Sequence, residues 1–232
     1  MWNQIVDCEN ESFRDAWVHK TLSTLRTSEN QSLLDVGAGL QPYRKYAEEI
    51  GFRYKAHDFS MYRPESELAG GLQNSSWHYP AADFNCDILN IPSNSKYEIV
   101  ICTEVLEHVP DPVAAFDKMV SLLAPDGLLV VTVPLMSLMH QAPYWFQSGL
   151  SPQWFEYHSK QRQIEIKELS IYGDYADYLE QEILRAFGFF SKIRRFPRGR
   201  KHLKRFFRKK LSSNLLESAG FGVVFIGQNR QL

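Results

Sequence analysis

Four clusters of residues able to do chemistry lie between positions 35 and 108. The first is Asp35-Val36-Gly37-Ala38-Gly39, where glycines at a turn let a ligand approach the backbone with no Cβ in the way. The second is Asp58, a carboxylate that can accept both hydroxyl hydrogens of a ribose. The third, Asp87-Ile88, sets an acceptor for an exocyclic amine beside an apolar flank and a backbone N–H. The fourth, Thr103-Glu104-Val105-Leu106-Glu107-His108, offers backbone and polar side chains to the remainder of such a ligand. A dinucleotide fits poorly. Its fingerprint needs a third glycine three residues after the second, and Pro42 stands there. Asp35 would also repel a pyrophosphate, whereas it suits a ligand that carries an amine.

The elements that must position these groups follow from the pattern. Ser12 to Arg26 has Phe13, Trp17, Leu22 and Leu25 at helical spacing. Ser32–Val36 is a short apolar strand entering the glycine turn. Pro42 suits the first turn of a helix that Gly51 would cap. Strands follow at 53–59, 82–86, 97–102 and 128–133, and Asp111-Pro112 reads as N-cap and first residue of the intervening helix. Pro125-Asp126-Gly127 reads as a turn. The chain closes with a helix near 214–219, a Gly220 cap and a strand near 223–226. Strands alternating with helices predict an α/β fold: a doubly wound, mostly parallel seven-stranded sheet with helices on both faces. Each acid named above falls at the carboxyl end of a strand, where such sheets bind ligands.

Taken together, Leu33–Gly39 (LLDVGAG), Asp58 of AHDF, Cys86–Pro92 (CDILNIP), Tyr97–Pro112 (YEIVICTEVLEHVPDP) and Leu122–Pro134 (LLAPDGLLVVTVP) resemble the class I, seven-strand S-adenosylmethionine-dependent methyltransferases. The order and spacing match over roughly residues 30 to 135. Gln41 departs from the pattern, since many members have a glycine or small residue there. The resemblance implies a Rossmann-like fold with S-adenosylmethionine as cofactor. It places Asp35, Gly37 and Gly39 along the methionine arm, Asp58 on the ribose, Asp87 and Ile88 at the adenine, and Thr103 and Glu104 at the pocket floor. Methyl transfer is an in-line displacement, so alignment and exclusion of water are the protein's main tasks. A hydroxyl acceptor would benefit from a base. His140, after the fifth strand, is the first candidate and His158 the second.

Residues 135–190 are rich in aromatics and read as a lid and acceptor region of a single domain spanning 1–232. The part HQAPYWFQSGLSPQWFEYHSK resembles methyltransferases associated with bacterial surface glycans, which implies a sugar or glycan acceptor. Aromatic rings stack on apolar sugar faces, and equally on quinones and other flat acceptors. Lys192 to Lys210 holds eleven Lys or Arg and no acid, leaving 15 basic and 27 acidic residues elsewhere. This basic amphipathic segment has three readings: a peripheral membrane contact, a nucleic-acid contact, or a solvated helix packed on the body. Three cysteines without paired spacing make a poor disulfide framework and a poor zinc site, and no metal is expected. With no apparent signal peptide and no apolar run long enough for a bilayer, a cytoplasmic location is expected. The competing functions are an RNA methyltransferase and a noncatalytic S-adenosylmethionine-binding protein.

Overall fold

The computed structural model describes residues 3–5, 13–64, 78–186, 197–213, 215 and 220–230, with backbone alone for 3–5, 184–186 and 197–202. In chain order the elements are β1 (Asn3–Ile5), α1 (Phe13–Leu25), β2 (Gln31–Val36), α2 (Arg44–Glu49), β3 (Phe52–Asp58), β4 (Phe84–Asn85), β5 (Tyr97–Thr103), α3 (Pro112–Ser121), β6 (Leu123–Pro134), α4 (Pro152–Gln161), β7 (Ile164–Tyr172), α5 (Tyr175–Ala186), α6 (Pro197–Lys210) and β8 (Gly222–Asn229). The sheet order is β1-β7-β8-β6-β5-β2-β3-β4. Strands β2 to β8 make up the expected number of seven, of which β7 was not read from the sequence, and β1 adds a parallel edge strand beside β7. Strand β8 runs antiparallel to both its neighbours, and every other pairing is parallel.

The central strands are apolar on both faces because helices cover both. Ile99, Val100 and Ile101 are all fully buried. Val100 packs with Leu34, Leu129 and Val131 under α3 and α4, whereas Ile99 and Ile101 pack with Leu33 and Val130 under α1 and α2. Helix α3 begins where its cap dictates. The Asp111 carboxylate accepts from the Val113 and Ala114 N–H groups at 3.1 and 2.9 Å, and Pro112 follows it.

Several expectations need correction. Pro42 lies in the turn ahead of α2, whose N-cap is Tyr43. Pro125-Asp126-Gly127 is not a separating turn but an irregularity inside β6. The register with β5 shifts between Tyr97 and Ile99, and Asp126 takes a left-handed φ of 58°. The stretch 135–190 is only partly a covering region, because α4 and β7 within it belong to the fold itself. Phe155 of α4 is fully buried and stacks on Phe225 of β8 at 4.9 Å between centroids. The aromatics at 154 and 155 therefore build core rather than lining a cleft. The closing helix near 214–219 and the start of the basic segment, 192–196, fall outside the described residues apart from Leu215.

In the described part of the basic segment, α6 leans on α5. Lys204 pairs with Asp177 and Glu180, and Arg208 with Asp174 and Asp177. Leu203 and Phe207 are half-buried, whereas Phe206 is exposed. No helix among the described residues is long and apolar enough to cross a membrane.

Candidate cofactor and acceptor site

Strands β4, β3, β2, β5 and β6 lie side by side and parallel, so their carboxyl ends form one rim. The predicted residues gather there. The glycine turn leaves β2, with Gly37 at φ 71° and Gly39 at φ 51°. Both values lie in the left-handed region that glycine enters at little cost. A Cβ on Gly37 would also stand 2.3 Å from Val105 Cγ2, so the loop after β5 closes directly on the turn.

Asp58, at the end of β3, pins this turn. Its Oδ2 accepts from the Gly39 N–H at 2.7 Å, and its Oδ1 accepts from the Ser60 N–H at 2.6 Å. The Ser60 hydroxyl donates to Oδ1 as well, at 3.3 Å, so of the four or so lone-pair directions of an ionised carboxylate Oδ2 keeps one open and Oδ1 gains one only if that hydroxyl turns away. Asp87, at the end of β4, is exposed and caps the short 3-10 turn Ile88–Asn90 by accepting from the Leu89 N–H at 2.8 Å. Ile88 beside it is buried.

Asp35 sits deeper than the sequence suggested, beneath the turn and 1% exposed. One carboxylate oxygen accepts a short hydrogen bond from the Tyr54 hydroxyl, and the other has no hydrogen-bond partner among the described residues. Burial raises its pKa to about 7, against the pull of the Tyr54 hydrogen bond. The folded chain thus holds this proton more tightly than the unfolded chain. This stabilisation is complete below the unfolded value near 4 and is lost as pH rises towards the folded one. Asp35 by itself is expected to lower stability by about 1 kcal/mol per pH unit between pH 5 and 7, a contribution that His57 and His108, both lowered, oppose below about pH 6.5, so it is read as the difference in slope between the parent and Asp35→Asn. Urea midpoints across that range test this, and Asp35→Asn should lack the contribution. An equal slope in both proteins would refute it.

After β5, Thr103 is half-buried and Glu104 takes a left-handed φ of 54°. The Glu104 carboxylate accepts from the Thr132 hydroxyl at 2.9 Å, and its N–H donates to the Thr132 carbonyl at 2.9 Å. Burial raises its pKa while Arg14 of α1 opposes the rise. Glu107 and His108 follow on a second 3-10 turn, Leu106–His108. Glu107 is fully buried, and burial together with the charge of Glu104 pushes its pKa well up. Burial and the neighbouring His140 bring His108 down to about 4. The His140 ring crosses that of His108 at 80°, with centroids 4.7 Å apart. His158, the second candidate base, lies elsewhere: on α4, tilted against Trp154 and beside Arg162.

Residues 144–147 of the aromatic region pack beside the rim. The N–H groups of Phe146 and Gln147 donate to the Glu107 carbonyl at 3.0 and 3.2 Å. Tyr144 meets Phe59, just beyond Asp58, edge to face at 5.5 Å. The segment leaving β6 therefore reaches across to the end of β3.

Sequence reasoning passed over two residues. His57 is buried between the turn and β4. Its Nδ1 accepts from the Gly37 N–H at 3.4 Å, so its Nε2 carries the hydrogen and donates to the Cys86 carbonyl at 2.9 Å. Burial lowers its pKa, which keeps it neutral. The signal was a histidine inside an otherwise buried strand end, next to Asp58. Arg14 opens α1 within electrostatic reach of Glu104, and no local pattern ties the two together.

Comparison with known proteins agrees with this architecture. The model of a methyltransferase-domain family matches residues 10–224. The ubiquinone biosynthesis O-methyltransferase of Psychrobacter cryohalolentis is 49% identical over 110 residues, covering 44% of this chain and 40% of that protein. That of Haemophilus ducreyi is 46% identical over 37 residues, 16% of each chain. The matched stretches thus span less than half the length of these curated relatives. Among solved structures, phosphoethanolamine N-methyltransferase 2 of Haemonchus contortus, in complex with S-adenosyl-L-methionine, superposes with a TM-score of 0.53 at 16% identity, over 94% of this chain and 52% of that one. The N-methyltransferase NodS of Bradyrhizobium japonicum, in complex with S-adenosyl-L-homocysteine, gives 0.51 at 12% identity, over 96% and 90%. At these identities the structural likeness is one of fold. Because the family model covers almost the whole length, the chain belongs to the methyltransferase-domain family.

Proposed function

We propose that the chain transfers the methyl group of S-adenosylmethionine to a hydroxyl oxygen of a ring-shaped small acceptor, a sugar or glycan first of all. The observation that carries this reading is the segment folded over the rim, where Tyr144 reaches Phe59 and His108 and His140 lie together. In this reading Gly37, Gly39 and the free oxygen of Asp35 take the methionine arm. Asp58 takes the ribose, Asp87 and Ile88 the adenine, and Thr103 and Glu104 the floor beneath the methyl. The acceptor ring lies against the aromatics of 144–146, and its hydroxyl meets the imidazole pair. Both rings direct Nδ1 to a backbone carbonyl, which fixes the hydrogen there and makes Nε2 the basic nitrogen of each ring.

A second reading, a phenolic or quinol hydroxyl, is favoured by the O-methyltransferase names of the partial relatives. Incubation with methyl-labelled cofactor tests both, using simple sugars and surface-glycan extracts, a dihydroxybenzene derivative, and total RNA. Label in a sugar methyl ether is the expected result. Label in the aromatic ether selects the second reading. Label in RNA, or in none of the acceptors, overturns both.

A further inference from the structure

Tyr172 ends β7, in one row across the sheet with Gly222 at the start of β8 and Pro134 at the end of β6. Its ring does not stay over its own strand. A Cβ on Gly222 would lie 2.5 Å from Tyr172 Cε1, Cζ and Oη, so the far edge of the phenol occupies the place that a side chain of β8 would take. The glycine thus lets the tyrosine lean from β7 towards β6. Phe13 of α1 stacks on the ring at 4.8 Å between centroids and 23° between planes, and Phe221 meets it at 5.8 Å, so aromatic neighbours hold the lean.

The fold does not account for the hydroxyl at the tip of this ring. The residue is 4% exposed, and its oxygen has no hydrogen-bond partner among the described residues. A hydroxyl in that state costs free energy, whereas a phenylalanine would fill the same space without the cost. Burial first, then the charge of Glu104, holds the phenol well above its ordinary pKa, so it remains a neutral O–H. Arg14 and Glu107 act on it as well, which puts the ring within electrostatic reach of the end of β5.

We propose that the Tyr172 hydroxyl binds the methyl acceptor: it donates a hydrogen bond to a second oxygen of the acceptor, one that is not methylated, and so selects ring acceptors that carry two oxygens. The inference rests on the hydroxyl-acceptor reading. In that reading the cofactor fills the rim from β4 to β5, adenine first and methyl last. An in-line displacement puts the acceptor beyond the methyl, away from the sulfur. The strand ends left there are those of β6 and β7, with the start of β8 between them. The imidazole pair meets the reacting hydroxyl from the segments after β5 and β6, and Tyr172 reaches in from β7. Two points of attachment on one ring fix which of its oxygens faces the methyl. A site built to hydrogen-bond a substrate oxygen also disfavours analogues without it, since the buried hydroxyl is then left unpaired.

Tyr172→Phe removes the oxygen alone and keeps the stack on Phe13. The full-chain variant and the parent are compared with methyl-labelled cofactor and whichever sugar, glycan or dihydroxybenzene the parent labels. The KM for that acceptor should rise by about 10-fold with kcat nearly unchanged, as for a hydrogen bond held equally in the ground and transition states. Calorimetric affinity for S-adenosylmethionine should match the parent's, and the urea midpoint should stay or rise, because no hydrogen bond of the folded chain is lost. Gly222→Ala, which keeps the hydroxyl but takes its place, should raise the KM likewise. With an acceptor analogue that lacks the second oxygen, parent and Tyr172→Phe should perform alike. A parent-like KM in Tyr172→Phe, or a fall in its urea midpoint, overturns the proposal. Label in RNA alone, or in nothing, from the parent itself would instead sink the hydroxyl-acceptor reading and this assignment with it.

Discussion

Replacing Asp58 with alanine is expected to lower the affinity for S-adenosylmethionine by about 100-fold or more. The carboxylate does two things at once. It holds the Gly39 N–H at 2.7 Å and the Ser60 N–H at 2.6 Å, so it shapes the loops on either side of the cofactor position. It also offers the open direction of Oδ2, and that of Oδ1 once the Ser60 hydroxyl turns away, where the ribose hydroxyls are proposed to lie. Hydrogen bonds to a charged group contribute about 1.5–3 kcal/mol each, so losing two costs about 3 kcal/mol or more. Asp58→Asn keeps one acceptor oxygen and should lose only about 10-fold. Isothermal calorimetry measures both variants. Unchanged affinity in Asp58→Ala would remove the ribose role.

Gly37→Ala is expected to destabilise the fold by about 2–3 kcal/mol and to weaken cofactor binding in parallel. The backbone at φ 71° costs a residue with a Cβ about 1–2 kcal/mol. The clash with Val105 adds to this, since a Cβ would stand 2.3 and 2.9 Å from its two γ-carbons. Val105 is β-branched and has few rotamers into which it can withdraw. The double variant Gly37→Ala, Val105→Ala should therefore recover the steric part and retain the backbone part. Urea denaturation of the two variants separates the contributions. A single variant as stable as the parent would show that the turn does not need its glycine.

The parts of the fold that could be read in advance are those whose causes are local. Gly37 and Gly39 announce the turn, Asp111-Pro112 announces the start of α3, and the unbroken apolar run 99–101 announces a strand buried on both faces. Strand β7, IEIKELSIY, carries the apolar–polar alternation of a half-buried strand, a signal obscured by the dense aromatics on either side of it. The residues it pairs with in β8 are 50 or more positions away, so nothing nearby in the sequence signals the pairing. The same holds for the site. Asp58 was identified from its place at a strand end. The buried position of Asp35 against Tyr54, the clasp of His57 and the approach of Arg14 to Glu104 depend on which strands and helices become neighbours. His140 was singled out by following β6 to its end. Its meeting with His108 arises because the segment after β6 turns back over the 3-10 turn that follows β5.

Helix α6 keeps some of its positive charge turned inward. Lys204 and Arg208 answer Asp174, Asp177 and Glu180, whereas Arg205, Lys209 and Lys210 stand exposed with Phe206. These carboxylates act as built-in counterions. A nucleic acid or an anionic bilayer approaching this face must either settle for the outward cations or detach the inward ones from partners they already have. Detachment would loosen α6 from α5, so an encounter strong enough to recruit the whole helix would also report itself as a change in the helix's attachment to the catalytic body.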